Sequence, residues 1–227
     1  MAHSRIVHSG LLMLALCLLS VCAALAGPPT EQLRGSTDRV LKILSDPELK
    51  KETKARERRE AIRTVAEDIF DFTEIARRSL GPHWQLRSAA EREEFTRLFA
   101  DLLEHSYISK IETYLTDNIQ YLGDTVDGDR GVTRTVIVTK QGERVPVDYH
   151  MLARDDRWRA CDVLLDGVSL AANYRAQFNS IIQRSGYADL VAKLRVRYEA
   201  RGGARHAGGA GRDAGGAAVS APPPPTR

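Results

Sequence analysis

A catalytic or metal site needs reactive side chains at workable spacings, and this 227-residue sequence offers few. Beyond the first 26 residues its histidines are His83, His105, His150 and His206, and no two stand at a ligand spacing from one another or from a cysteine. There is no G-x-S-x-G elbow, H-E-x-x-H pair, phosphate loop or dinucleotide-binding glycine pattern. Asp148, Asp162 and Asp166 fall on neighbouring predicted strands near His150, so an acid–base pair in a small cone-shaped α+β domain is one reading. The structural reading sends Asp148 to water, Asp162 to the rim of the sheet and Asp166 to a turn. Cys161 lies in the apolar run Trp158-Arg159-Ala160-Cys161-Asp162-Val163-Leu164-Leu165, where a buried structural thiol is expected, because reactive thiols need an electropositive, partly exposed setting. The expectation is therefore a binding protein with no catalytic residue, no metal and no cofactor. An acid–base enzyme and a ligand-free interaction domain are the alternatives.

The ends of the sequence set the compartment. Arg5, the apolar run Gly10 to Leu19 and Ala24-Leu25-Ala26 have the order of a cleavable export signal, so residues 1–26 are expected to be removed. That removes Cys17 and Cys22 and leaves Cys161 unpaired. From Arg201 to Arg227 the chain is Gly, Ala and Arg closing on Pro222 to Pro225, which cannot bury enough apolar surface to offset ordering; a disordered 201–227 tail is expected. Four arginines against Asp213 give that tail a net +3, so the formal +3 of the whole leaves the 27–200 body near −1 once Arg5 is set aside. No electrostatic footprint for nucleic acid remains in the body.

The elements that would position any site are legible from periodicity. Leu33, Thr37, Val40, Leu41 and Leu44 mark one amphipathic helix stopping at Asp46-Pro47, and Ile62, Val65, Ala66, Ile69 and Phe70 mark a second. Phe72 to Leu80 is a third, closed by Gly81-Pro82. Ser88 and Glu91 form a capping box for a long helix carrying Phe95, Leu98, Phe99, Leu102, Leu103, Tyr107, Ile108, Ile111, Tyr114 and Leu115. Four antiparallel strands follow, near 119–126, 131–140, 143–153 and 157–165, separated by turns at Asp127-Gly128-Asp129, Gln141-Gly142 and Asp155-Asp156. Ser169 caps a further helix that Gly186 ends, and Leu190, Val191 and Leu194 mark a last one. The order predicts an α+β domain over 27–200 in which long helices cover one apolar sheet face.

Several separate motifs carry a resemblance. Phe70-Asp71-Phe72, Ile75-Ala76-Arg77-Arg78 and Leu80-Gly81-Pro82-His83-Trp84 resemble the MlaC/toluene-tolerance auxiliary family of ABC transporters. Glu94-Phe95, Val145-Pro146-Val147-Asp148-Tyr149, Trp158-Arg159-Ala160-Cys161-Asp162-Val163, Asp166-Gly167-Val168-Ser169-Leu170 and Asn173-Tyr174-Arg175-Ala176-Gln177-Phe178-Asn179 are similar in the same order. The resemblance implies an NTF2-like fold and a periplasmic protein that shuttles phospholipid or a hopanoid-type lipid; a monomer is expected. Its implied partners are an inner-membrane ABC transporter with an MCE-type substrate-binding complex and an outer-membrane lipoprotein complex. Cys161 stands where the family run carries an aromatic.

The physics of such a task is plain. Each acyl chain of about 16 carbons costs roughly 12 kcal/mol to expose at ~0.8 kcal/mol per CH₂, so a carrier must supply a dry cavity. The inward faces expected to line it are Phe99, Leu103, Tyr107 and Ile111 of the long helix, Val136 and Val138, Val147, Tyr149 and Met151, and Val163, Val168, Tyr174 and Phe178. Polar substitution at Val147 or Phe178 is expected to weaken loading without unfolding the domain.

Overall fold

In the computed structural model the structure describes residues 28–114, 118–139 and 141–203, with the side chains of 108–114 and 197–203 outside the description. The expected export signal at 1–26 lies outside it, as does the expected 201–227 tail except for residues 201–203, which end the last helix.

Helix α1 spans Pro29–Ser45 and stops where Asp46 turns extended before Pro47, whose ring disfavours helix in the preceding residue. A short 3₁₀ turn at Glu52–Lys54 leads into α2, Ala55–Ile69. The two helices bury Val40 and Leu44 against Ile62 and Val65. The chain then touches the sheet at Phe70, and the Asp71 N–H donates to the Ala160 carbonyl at 2.9 Å. Helix α3, Phe72–Leu80, starts at an Asp71 cap accepting from the Glu74 N–H at 2.9 Å. A 3₁₀ segment, Gly81–Leu86, joins it to α4, Ala89–Tyr114. There the capping box forms in both directions, Ser88 N–H to Glu91 at 2.8 Å and Glu91 N–H to Ser88 Oγ at 3.2 Å.

The strands are β1 Asn118–Asp127, β2 Arg130–Val138, β3 Arg144–Arg154, β4 Arg157–Leu165 and β5 Val168–Ser169, in one sheet of order 1-2-3-4-5 with antiparallel neighbours. The α+β architecture is as expected, with five strands rather than four. The extra strand follows from Asp166-Gly167, which does not lead straight into a helix. Both residues take positive φ, 48° and 77°, the geometry of a two-residue hairpin, and this folds Val168–Ser169 back onto Leu165 and Leu164. Helix α5, Leu170–Gly203, is broken at Gly186, where φ is 84° and ψ 167°, at the position that the sequence marks as an end.

Two irregularities decide which way side chains face. Between β1 and β2 the register shifts at Leu122, and between β3 and β4 it shifts at Cys161, so each of these residues is an extra one opposite its partner strand. The bulge at Cys161 explains why β4 does not alternate cleanly: Ala160, Cys161 and Asp162 are all buried in succession.

Helices α3, α4 and α5 enclose the main core. Phe99 packs on Tyr174 and Phe178 edge to face, with centroids 4.9 and 5.1 Å apart, and Phe95 meets Phe178 at 5.5 Å. Ile75, Leu80, Leu98, Leu190 and Leu194 close around these rings.

Candidate functional site

Cross-strand pairing assigns every sheet residue to a face. Val147 stands opposite Thr135, Tyr149 opposite Thr133 and Val163, and Met151 opposite Gly131 and Ala160. Ile137 stands opposite Ile119 and Val145. These residues, with Tyr121 and Leu165, share one face, because side chains alternate along a strand and paired residues project together. Thr133, Thr135 and Val147 are buried at its centre, while Ile119, Tyr121, Ile137, Val145, Tyr149, Val163 and Leu165 are only half-buried. The result is an apolar trough, closed at one end by Met151, Trp158 and Ala160 packed beneath Phe70.

Helix α1 lies across this face, tied to α2 by Val40 and Leu44 and to the sheet by polar contacts among others. Thr30 donates to Asp124 at 2.6 Å, the Trp158 N–H donates to Gln32 at 2.6 Å, and the Arg34 guanidinium sits 4.5 Å above the Tyr121 ring. A recess of about 390 Å³ opens on one side of α1, lined by Leu33, Ile69, Met151 and Trp158 with Glu31, Gln32, Gly35, Ser36, Arg39, Asp68 and Arg157. A second, of about 330 Å³, opens on the other side, lined by Arg34, Thr37, Asp38, Leu41, Asn118, Ile119 and Tyr121. Each is at the small end of the roughly 300–1,000 Å³ typical of ligand pockets. The trough is dry enough to shift the tyrosines it holds: burial pushes the Tyr149 hydroxyl up to about 12, helped by the nearby Tyr121, and burial also raises Tyr121.

The expected lining residues divide among four places. Val147, Tyr149, Met151 and Val163 lie on the trough face. Val136 and Val138 pair with Pro146 and Arg144 and so occupy the opposite face of the sheet. Phe99, Leu103, Tyr174 and Phe178 belong to the helical core at 6% exposure or less, with Tyr107 packed against them and its hydroxyl raised by burial and by its hydrogen bond to Tyr174. Rings this close leave no space for an acyl chain unless they move apart. Val168 is 56% exposed on β5, and the Ile111 side chain lies outside the described residues. Ile119, Tyr121, Ile137, Val145, Leu165 and Trp158 were not among the expected lining. Extending the alternation of Val145, Val147 and Tyr149 reaches Val145 from sequence, but the others require the strand register.

Of the carboxylates considered for chemistry, Asp162 stands opposite His150 across β3 and β4, but its oxygens are taken by a capping role. Asp162 is buried, not at the rim, and its oxygens accept from the Ser169 hydroxyl at 2.5 Å and from the Ala171 and Val163 N–H groups at 3.0 and 2.9 Å. It serves as a second cap for α5 beside Ser169, whose Oγ accepts from the Ala172 N–H at 3.0 Å. Asp166 takes the hairpin turn, and Asp148 pairs with Leu164 rather than with Asp162. Burial pushes the Cys161 thiol up to about 11, and the thiol donates to the His150 carbonyl at 3.2 Å. A thiol held protonated in this way is no nucleophile near neutral pH. Among the described residues there is no cluster of three or more potential metal ligands, and no helix is long and apolar enough to cross a membrane.

Comparison with known proteins accords with this geometry. Residues 34–196 match the MlaC protein family. The intermembrane phospholipid transport system binding protein MlaC of Haemophilus influenzae is 22% identical over 138 residues, which make up 57% of this chain and 64% of that protein. The match thus spans just under two thirds of that relative's length. A phospholipid-binding protein from Ralstonia solanacearum, solved in complex with a phospholipid, superposes with a TM-score of 0.64 at 22% identity, over 75% of this chain and 97% of that one. At such identity the superposition speaks for the fold.

Proposed function

Because the chain belongs to the MlaC protein family, we propose that it is an exported phospholipid carrier whose acyl chains lie in the trough beneath α1. The observation that carries this reading is the row of half-buried apolar side chains, Ile137, Val145, Tyr149, Val163 and Leu165, on a single sheet face. An ordinary core buries such residues completely, whereas a face kept half-buried has apolar surface left to give to a ligand. The energetics agree: a lipid leaving a bilayer must exchange one dry setting for another, since each chain exposed to water costs roughly 12 kcal/mol at ~0.8 kcal/mol per CH₂.

The leader at 1–26 sends the protein to the periplasm in this reading, and the body at 27–200 does the carrying. Its partners are an inner-membrane ABC transporter with an MCE-type complex on one side and an outer-membrane lipoprotein complex on the other. No turnover is assigned to it. Organic extraction of the full chain purified from the periplasm, followed by mass spectrometry, should return about one phospholipid per protein. A stoichiometric hopanoid would change the cargo but keep the carrier; protein that comes out free of lipid and takes none up from phosphatidylethanolamine vesicles would end the reading.

A further inference from the structure

The larger recess beside α1 carries polar features that a purely apolar binding site does not use. Trp158 is 7% exposed and lines it, yet the indole N–H has no acceptor among the described residues. The far corner of the ring packs close to the strand: a Cβ at Gly131 would meet Trp158 Cζ3 at 3.3 Å and Pro29 Cγ at 3.4 Å, so a side chain there would press on the indole. Nε1 is on the opposite edge of the indole from that contact. Two residues along β2, on the same sheet face, the fully buried Thr133 hydroxyl also lacks a partner among the described residues. Buried donors without acceptors are costly and rare; unlike Ser79 Oγ in the closed helical core, the Trp158 donor belongs to a residue lining a recess.

At the mouth of the recess, Arg39 and Arg157 converge on one carboxylate. Arg39 Nη1 lies 3.0 Å from Asp68 Oδ2 and Arg157 Nη1 lies 3.4 Å from Asp68 Oδ1, and all three side chains are substantially exposed. A planar or tetrahedral oxyanion offering two oxygens is what paired guanidiniums suit best. Glu31, on the same lining, supplies a negative counterpart for an amine. The smaller recess differs, since Arg34 is stacked over Tyr121 and the Tyr121 hydroxyl is hydrogen-bonded to Thr37.

We propose that the larger recess binds the phosphodiester of the cargo, with Arg39 and Arg157 taking its two non-bridging oxygens in place of Asp68 and the Trp158 indole donating to a neighbouring ester or phosphate oxygen. This rests on the carrier reading and adds a polar selectivity site to it. Asp68 then acts as an internal stand-in that satisfies the arginines when no lipid is bound.

The test uses the delipidated full chain, labelled with ¹⁵N, and follows the indole N–H signals of Trp84 and Trp158, assigned with Trp158→Phe. Dioctanoyl phosphatidylethanolamine should move the Trp158 signal, while dioctanoylglycerol binds without moving it. Arg39→Gln and Arg157→Gln should each weaken phosphatidylethanolamine binding about tenfold and leave dioctanoylglycerol unaffected; Asp68→Asn should tighten it several-fold, with thermal stability little changed in all three because exposed ion pairs contribute little. An equal shift with dioctanoylglycerol would make the recess an acyl-chain subsite and overturn the inference. So would an equal response to inorganic phosphate alone, or saturable phospholipid binding with the Trp158 signal unmoved, as when a buried water satisfies the N–H. Failure of every lipid to bind would remove the carrier reading itself.

Discussion

The helical core and the sheet trough use similar residues to opposite ends. In the core, Phe95, Phe99, Tyr174 and Phe178 interlock at centroid distances of 4.9 to 5.7 Å and are shut off from water. In the trough, Tyr149, Val163 and Ile137 remain half-buried beneath a helix that meets the sheet through polar contacts at Thr30 and Gln32, and two buried donors have no partner among the described residues. Dense packing stabilises by dispersion and burial but leaves no room. A face left loose forgoes that stability and keeps surface for a ligand. The difference teaches that apolar residue type does not distinguish a closed core from a half-open face; completeness of packing does.

The contrast can be broken most severely at Phe178. Phe178→Ala should cost about 3–5 kcal/mol of stability in urea or thermal unfolding, as removal of a fully buried aromatic does, so the domain is not expected to tolerate a polar residue there. If the variant instead kept its stability and lost only lipid loading, the helical core would be lining after all.

At the seam between the two regions, the buried Glu74 of α3 receives Arg77 at 2.6 Å and Arg78 at 2.9 Å, and Arg154 of β3 reaches Asp71 at 3.3 Å and Glu74 at 3.9 Å. Burial pushes the Glu74 carboxyl up, but the hydrogen bonds and charges of Arg77 and Arg78 outweigh it and hold the group below its ordinary 4.5. A depressed carboxyl contributes stability above about 4.5 and loses it as pH falls through the lowered value. Glu74→Gln should therefore cost about 1.5–3 kcal/mol near neutral pH, shrinking towards zero in acid; a cost independent of pH would show that the charge of Glu74 is not what stabilises α3 at the seam.

Within the trough the order of effects should reverse. Val163→Asp is expected to lower stability by only about 1 kcal/mol while cutting phospholipid loading at least tenfold in a vesicle-extraction assay. Val168→Ala, at the exposed turn, should shift either readout by less than about 0.5 kcal/mol. Loading that fell with Val168→Ala would extend the lipid surface over β5.

Much of this fold was legible in the sequence because it is specified locally. Asp46-Pro47 ends a helix, Ser88 and Glu91 cap the next long one, Gly186 breaks the last, and Asp127-Gly128-Asp129 and Asp155-Asp156 turn strands. Each acts within a few residues through φ preferences and side-chain capping. What is non-local was not legible. A bulge at Leu122 or Cys161 resets the alternation of a strand, and only the partner strand reveals it. The pairing of β2 with β3 is equally non-local: it sets Thr135, not Val136, opposite Val147, so Val136 and Val138 lie on the other face. Asp162 becomes a helix cap only when β5 returns beside β4. By themselves the residues determined the helices, four of the five strands and the absence of any recognised catalytic or metal-binding motif. Only the tertiary structure decided which apolar residues are packed shut and which remain half-open, because that depends on what long-range neighbours place over them, and periodicity is the same in both cases.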